Sequence, residues 1–467
     1  MDSSIAIVGM SCRFAGCPTP VAFWDAIRER RVMLTPPGPE AELPLGQRNV
    51  FDRPYPARIG QLGGLYACVP SMQDFPRQMN AGENQDLYFA TQLAFDALGD
   101  AGMKTQAKER LHGSVRVGYA PPFNASTMNW LQHTYFLDQT LDTIRRFFPN
   151  APEEKMDSVK AKLVESLPAP NAASFLLGTG YRFASWIARE CSFVGAATTM
   201  DAGILTGAAT LLSAMDDLQS GRADVALAGA LTPPLNRAYI EGLSGAIRFS
   251  QRTELNPFAR EQDGTLPGEG GAFFVLKRRA DALRDRDRIY ALVRNVTIGH
   301  NPEDDPSALL AEAIARAGIP VASVGLIEAD GSGIPEAEAR ELAAIRRLWG
   351  EHRPGMPLVG VGSVKGNIGH TMRSAMAAGI AKAALALNAR VLPPQVSAAR
   401  SADCISDISS SAYLLDEARP WITGDSANPR RAVVLGANFD AVDPIGDRPS
   451  AGRAAVVVLE EEPEDRT

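Results

Sequence analysis

The 467-residue chain has few cysteines, and none of them is arranged to work together. Cys12, Cys17, Cys68, Cys191 and Cys404 make an odd set with no pair two residues apart. That excludes a zinc-ribbon type of site and a disulfide framework. An uninterrupted apolar run of about 20 residues is also missing, which argues against a membrane-spanning helix. The start, Met1-Asp2-Ser3-Ser4, has no basic flank or cleavage signal before an apolar run. There is no excess of positive charge: 47 Lys and Arg face 54 Asp and Glu, a net charge of -7, so neither nucleic acid nor a membrane surface is the expected partner. These absences describe a reduced, cytoplasmic protein whose partners are proteins or small molecules.

What is present is an ordinary globular composition, 45% hydrophobic and 22% charged, in a chain long enough for two packed halves. Ile5-Ala6-Ile7-Val8-Gly9-Met10 is a β-branched apolar run that predicts a buried strand. Residues 23–30 predict a helix, 35–70 an ordered loop rich in Pro and Gly, and 86–101 a helix stopped by Gly102. Residues 222–229 and 270–277 predict core strands. A second alternation follows, with strands at 289–296, 324–329, 357–364 and 454–459 and helices at 307–317, 336–349 and 375–387. Strands alternating with helices twice over indicate an α/β protein of two layered halves. The acidic end at 460–465 is expected to fray. Between the strand ending near Gly118 and Ala172, the aromatics Trp130, Tyr135, Phe136, Phe147 and Phe148 are expected to serve packing.

Several ordered motifs resemble the β-ketoacyl synthases of fatty-acid and polyketide biosynthesis. The likeness spans residues 5–461. It includes the opening strand with Ser11-Cys12-Arg13-Phe14 and Phe23-Trp24, then Asn256-Pro257-Phe258, Asp263-Gly264, Gly268-Glu269-Gly270 and the charged turn 282–290. It is strongest at Ser363-Val364-Lys365-Gly366-Asn367-Ile368-Gly369-His370-Thr371. The resemblance implies a thiolase-like five-layer αβαβα fold with two pseudo-repeated halves, here 1–288 and 289–462, an insertion at about 121–170 and a tail at 463–467. It also implies a dimer and, with no cofactor bound, a substrate carried on the phosphopantetheine arm of an acyl carrier protein.

The same resemblance shows what is missing. The family's nucleophile elbow, Asp-Thr-Ala-Cys-Ser-Ser-Ser-Leu, aligns with Thr198-Thr199-Met200-Asp201-Ala202-Gly203-Ile204-Leu205, so Asp201 stands where the family has its catalytic cysteine. A carboxylate is comfortable at a helix N-terminus, and Asp is a favoured N-cap, but it would form an anhydride rather than a thioester. Loss of a covalent nucleophile commonly costs on the order of a million-fold in rate.

The family's first histidine, in Glu-Ala-His-Gly-Thr-Gly-Thr, aligns with Asp330 in Glu328-Ala329-Asp330-Gly331-Ser332-Gly333-Ile334. The second is kept as His370, with Lys365 five residues earlier. A family glutamate falls on Met372, which is expected to leave Lys365 without its ionic partner. In the oxyanion loop, Leu435-Gly436-Ala437-Asn438-Phe439-Asp440-Ala441, Phe439 matches while Asn438, Asp440 and Ala441 replace glycines and narrow the backbone's freedom. Met200, Asn438 and Phe439 are the expected pocket residues beside the candidate catalytic set Asp201, Asp330, His370 and Lys365. No metal is expected.

Three readings follow. The chain is a non-condensing partner of an active ketosynthase, like a chain-length factor, in a homodimer or heterodimer. Residues 123–170, which resemble the enlarged region of iterative ketosynthases, suit that reading. Alternatively, it is an enzyme of altered chemistry, cyclising, dehydrating or hydrolysing an acyl chain with Asp201, Asp330 and His370; carboxylates sharing one pocket would then split into acid and base. The third reading is an idle structural subunit.

Overall fold

The computed structural model describes residues 4–39, 41–42, 49–50, 53–63, 85–103, 110–120, 125–167, 169, 180–300, 305–350, 358–396, 412–423, 429–438 and 452–463. The main strands in chain order are β1 (Ile5–Phe14), β2 (Gly113–Gly118), β3 (Ala197–Met200), β4 (Val225–Thr232), β5 (Gly270–Arg278), β6 (Ala291–His300), β7 (Leu326–Glu328), β8 (Val359–Gly362), β9 (Ala412–Leu414), β10 (Arg431–Asn438) and β11 (Arg453–Glu460). They form one 11-stranded sheet in the order β9-β8-β7-β10-β11-β6-β1-β5-β4-β2-β3.

The order contains a repeat. In the first half β3, β2 and β4 run parallel, β5 is antiparallel to β4, and β1 is antiparallel to β5. In the second half β8, β7 and β10 run parallel, β11 is antiparallel to β10, and β6 is antiparallel to β11, with β9 added outside β8. The halves join where Ile5, Ala6 and Ile7 pair with Val293, Leu292 and Ala291.

Burial explains the composition of the strands. Every residue of β4, Val-Ala-Leu-Ala-Gly-Ala-Leu-Thr, is buried, as a strand covered on both faces requires. The helices in chain order are α1 (Pro20–Arg28), α2 (Gln85–Asp100), α3 (Ala125–Leu131), α4 (Leu137–Phe147), α5 (Glu153–Glu165), α6 (Arg182–Glu190), α7 (Thr206–Gln219), α8 (Arg237–Ser244), α9 (Arg279–Asp285), α10 (Ser307–Arg316), α11 (Pro335–Trp349), α12 (Lys365–Ile368) and α13 (Ala375–Ala389).

The core separates into layers. Residues of α7 and α13, among them Leu211, Met215 and Ile380, share one cluster with Ile5, Ile7 and Met10 of one half and Val434 and Val457 of the other. Leu93 of α2 and Phe183 and Ile187 of α6 pack on the outer face of the first half, against Val115, Val117 and Val275. Leu310 and Ile314 of α10 and Ile345 of α11 do the same for the second half, against Ile327, Val433 and Val456. This is the five-layer αβαβα arrangement. The alanine-rich α13 is apolar on nearly every side because it lies in the central layer. A Cβ on Gly207 would lie 2.6 Å from the Ala377 backbone nitrogen, so glycine permits the close approach of the two central helices.

Two expectations are corrected. The aromatics of 130–148 are exposed rather than buried in a core. Helices α4 and α5 form a hairpin whose own seam is Leu137, Leu141 and Met156, flanked by Ile144, Val159 and Leu163. The aromatics lie off that seam, and Phe147 and Phe148 are 77% and 66% exposed. The acidic end is also more ordered than expected as far as Glu462. Glu460 pairs with Arg431 at 2.6 Å, Glu461 with Arg430 at 2.7 Å and Glu462 with Arg279 at 2.5 Å. Among the described residues, no helix is long and apolar enough to cross a membrane.

Candidate active site

Strand β3 delivers the chain to Asp201, and helix α7 begins only at Thr206, with Leu205 as its cap residue. The expected helix N-terminal placement of Asp201 is therefore corrected. Gly203, at φ 61°, turns the chain away from helical geometry. Asp201 Oδ1 accepts a hydrogen bond from the Gly203 N–H at 2.9 Å, while the Thr206 hydroxyl, 3.3 Å from the same oxygen, makes its shorter bond to the Gly203 carbonyl at 2.6 Å. The same hydroxyl accepts the Ala202 N–H at 2.8 Å. The charge is answered by a cation from the other half of the chain: Arg373 Nη2 donates to Asp201 Oδ2 at 3.0 Å. Arg373 Nη1 donates to the Tyr239 hydroxyl on α8 at 2.6 Å. Burial raises the Tyr239 pKa, so its hydroxyl stays protonated.

Asp330 follows β7 and is buried. Lys365 Nζ donates to its carboxylate Oδ1 at 2.9 Å and to its carbonyl at 2.6 Å. Lys365 is thus not left unpaired by Met372, as expected from the sequence; the carboxylate arrives from position 330 instead. Behind this pair, Glu341 of α11 accepts the Asp330 N–H at 2.5 Å and the Gly331 N–H at 3.0 Å. Glu338, one turn earlier, accepts the Phe258 N–H at 2.8 Å and the Gly333 N–H at 2.7 Å. Burial, and then the neighbouring Asp330, pushes the Glu341 carboxyl up to about 8. Burial likewise pushes Glu338 up to about 7, although its two backbone donors oppose the shift.

His370 lies beside this group. Its Nδ1 accepts the Met372 N–H at 3.0 Å. That bond assigns the proton to Nε2. Burial and then the Lys365 charge hold the imidazole pKa down at about 3, so the ring is neutral at physiological pH. Below it, Lys382 and Glu328 form a second buried pair at 2.6 Å. A cavity of about 10 Å³, near the size of one water, is lined by Glu328, Asp330, Lys365, Met376 and Val434.

The candidate residues therefore fall into two groups. Asp330, Lys365 and His370 share one buried cluster. Asp201 belongs to a half-exposed cluster with Arg373 and Tyr239. Each aspartate faces its own cation, Asp201 meeting Arg373 and Asp330 meeting Lys365. Met200 is half-buried at the end of β3, with its carbonyl accepting the Tyr119 N–H at 3.1 Å. Asn438 closes β10 opposite Arg453, and Phe439 lies outside the described residues, as does the expected oxyanion loop beyond it.

Arg373, Tyr239, Glu338 and Glu341 were not anticipated. Arg373 gave one sequence signal, a lone cation three residues after His370, but its acid lies 172 positions earlier. Cys12, Cys17 and Cys191 are buried free thiols, and burial raises Cys17 to about 11 and Cys191 to about 12. Among the described residues there is no cluster of His, Cys, Asp and Glu able to hold a metal.

Comparison with known proteins agrees with this architecture. The family described as "Beta-ketoacyl synthase, N-terminal domain" matches residues 2–282, and "Beta-ketoacyl synthase, C-terminal domain" matches 294–399. A mycocerosic acid synthase-like polyketide synthase of Mycobacterium tuberculosis is 33% identical over 448 residues, which is 92% of this chain and 19% of that protein. A non-reducing polyketide synthase of Macrophomina phaseolina is 28% identical over 84% of this chain and 16% of its own length. The chain thus spans a fifth or less of these relatives.

Among solved structures, an oxazolomycin ketosynthase domain of Streptomyces albus JA3453 superposes with a TM-score of 0.75 at 22% identity, covering 99% of this chain and 75% of that one. The module 6 ketosynthase of the Bacillus subtilis 168 bacillaene synthase gives 0.72 at 23%, covering 98% and 72%. With matching domain families over most of its length and a thiolase-like fold, the chain belongs to the β-ketoacyl synthase family as a ketosynthase-like domain of the polyketide synthase kind.

Proposed function

We propose that this chain is a non-condensing, chain-length-factor-like partner of an active ketosynthase, working in a cytoplasmic heterodimer around chains held on an acyl carrier protein. The observation that carries the reading is the state of position 201. A carboxylate there is tied to the Gly203 N–H through one oxygen and to Arg373 through the other. It does not form a thioester.

The rest of the site supports the same reading. Where the resemblance expects the family's first histidine, Asp330 and Lys365 neutralise each other. A carboxylate at that place does not assist loss of carboxylate from a malonyl unit, because like charges repel. The single neutral imidazole, His370, keeps one hydrogen-bond donor for an acyl carbonyl. Acid–base chemistry by Asp201, Asp330 and His370 together is less well supported, since the two aspartates lie in separate ion pairs.

Co-expression with a cognate active ketosynthase tests the proposal. The expected result is a heterodimer that makes product, and Asp201→Ala changes the product yield less than twofold. An intact heterodimer that loses its product on Asp201→Ala contradicts the reading and assigns Asp201 a chemical role.

A further inference from the structure

We infer that Arg373 and Tyr239 form a carboxylate receptor that the chain fills with its own Asp201. The receptor is built from two elements distant from the elbow: Tyr239 on α8, whose first turn is fixed by the Asn236 side chain accepting the Tyr239 N–H at 2.9 Å, and Arg373 in the short turn after His370. The guanidinium spends Nη1 on the tyrosine hydroxyl and Nη2 on Asp201 Oδ2. Its Nε is buried and has no partner.

A guanidinium normally meets a carboxylate through two parallel bonds, and the pair Nη2 and Nε is one such fork. Asp201 fills only half of it, because its other oxygen is held by the Gly203 N–H. The tether that makes Asp201 a local ligand also prevents the second bond. A carboxylate free of the tether fits the fork better than the chain's own does.

The consequence is a built-in exclusion. A small carboxylate, free or at the end of a diacid-derived chain, finds the receptor occupied, and Asp201 must leave before it binds. This inference stands apart from the partner-subunit proposal, and either can fail without the other.

Chemical rescue tests it. Asp201→Gly opens the receptor to solvent, and thermal unfolding is followed while sodium acetate is titrated at constant ionic strength, with acetamide as the neutral isostere. The expected result is a saturable, acetate-specific rise of about 1–2 °C at tenfold excess over the dissociation constant. No rise is expected in the native chain or in Asp201→Gly/Arg373→Met. An Asp201→Gly protein that ignores acetate, or one whose response survives Arg373→Met, overturns the inference. Should Asp201→Gly fail to fold, Asp201→Ala carries the test. It also removes the carboxylate and vacates the receptor, without glycine's added backbone freedom, and must show an acetate response that Asp201→Ala/Arg373→Met lacks.

Discussion

Two ion pairs of nearly equal length draw their cations, Lys365 and Arg373, from one stretch of the C-terminal half, and their surroundings make them different objects. Lys365 meets Asp330 at 2.9 Å with side chains 7% and 6% exposed, whereas Arg373 meets Asp201 at 3.0 Å with 19% and 36% exposed. In the first pair, water has been removed from both charges, so each depends on the other. In the second, solvent still shares the work.

Both pairs match a carboxylate with a cation distant in the chain. The carboxylate that the family resemblance expects at Met372 is supplied to Lys365 by Asp330 instead, and the carboxylate at Asp201 is met by Arg373.

Removing one partner from each pair breaks the comparison most directly. Lys365→Met leaves Asp330 buried without a counter-charge and should cost about 3–5 kcal/mol in chemical denaturation. Adding Asp330→Asn should recover much of that loss. Arg373→Met, at the half-exposed pair, should cost only about 1 kcal/mol or less. Equal losses at the two positions would remove the distinction drawn from burial.

A smaller effect concerns pH. Glu341 holds its proton to about 8 when folded, against an ordinary 4.5, so the unfolded chain releases that proton first and stability falls as pH rises between these values. Glu338 acts in the same direction up to about 7. His370 acts oppositely: its folded value of about 3 lies below the ordinary 6.5, so its contribution grows with pH over that window and is complete above it. Between pH 6.5 and 8 the glutamates act unopposed. Native stability should fall there, and Glu341→Gln should flatten the fall even if it lowers stability throughout. The smallest effect is a null one: nitrogen NMR of His370 should show a neutral ring with its proton on Nε2 from pH 5 to 8, while a midpoint near 6.5 would contradict its burial.

The fold was largely legible in the sequence because it is written in local patterns. The fully apolar strands, the alanine-rich central helix and the motif around His370 each predict their own environment. The site was legible only in part. Motif alignment locates Asp201, Asp330, Lys365 and His370, but pairing is a property of the folded chain. That Lys365 keeps a partner despite Met372, or that Asp201 is held by Arg373 rather than by a helix terminus, depends on contacts between residues 35 and 172 positions apart. The hairpin aromatics misled for a related reason: Leu and Met supply the seam of α4 and α5, leaving Phe147 and Phe148 outside it.

The central claim is that position 201 presents a held carboxylate and that the site does not capture an acyl chain covalently. Intact-protein mass spectrometry after incubation with an acyl-loaded carrier protein tests it most directly. The account predicts an unchanged mass for this chain. An acyl adduct, mapped by proteolysis to any cysteine or to Asp201, would contradict it.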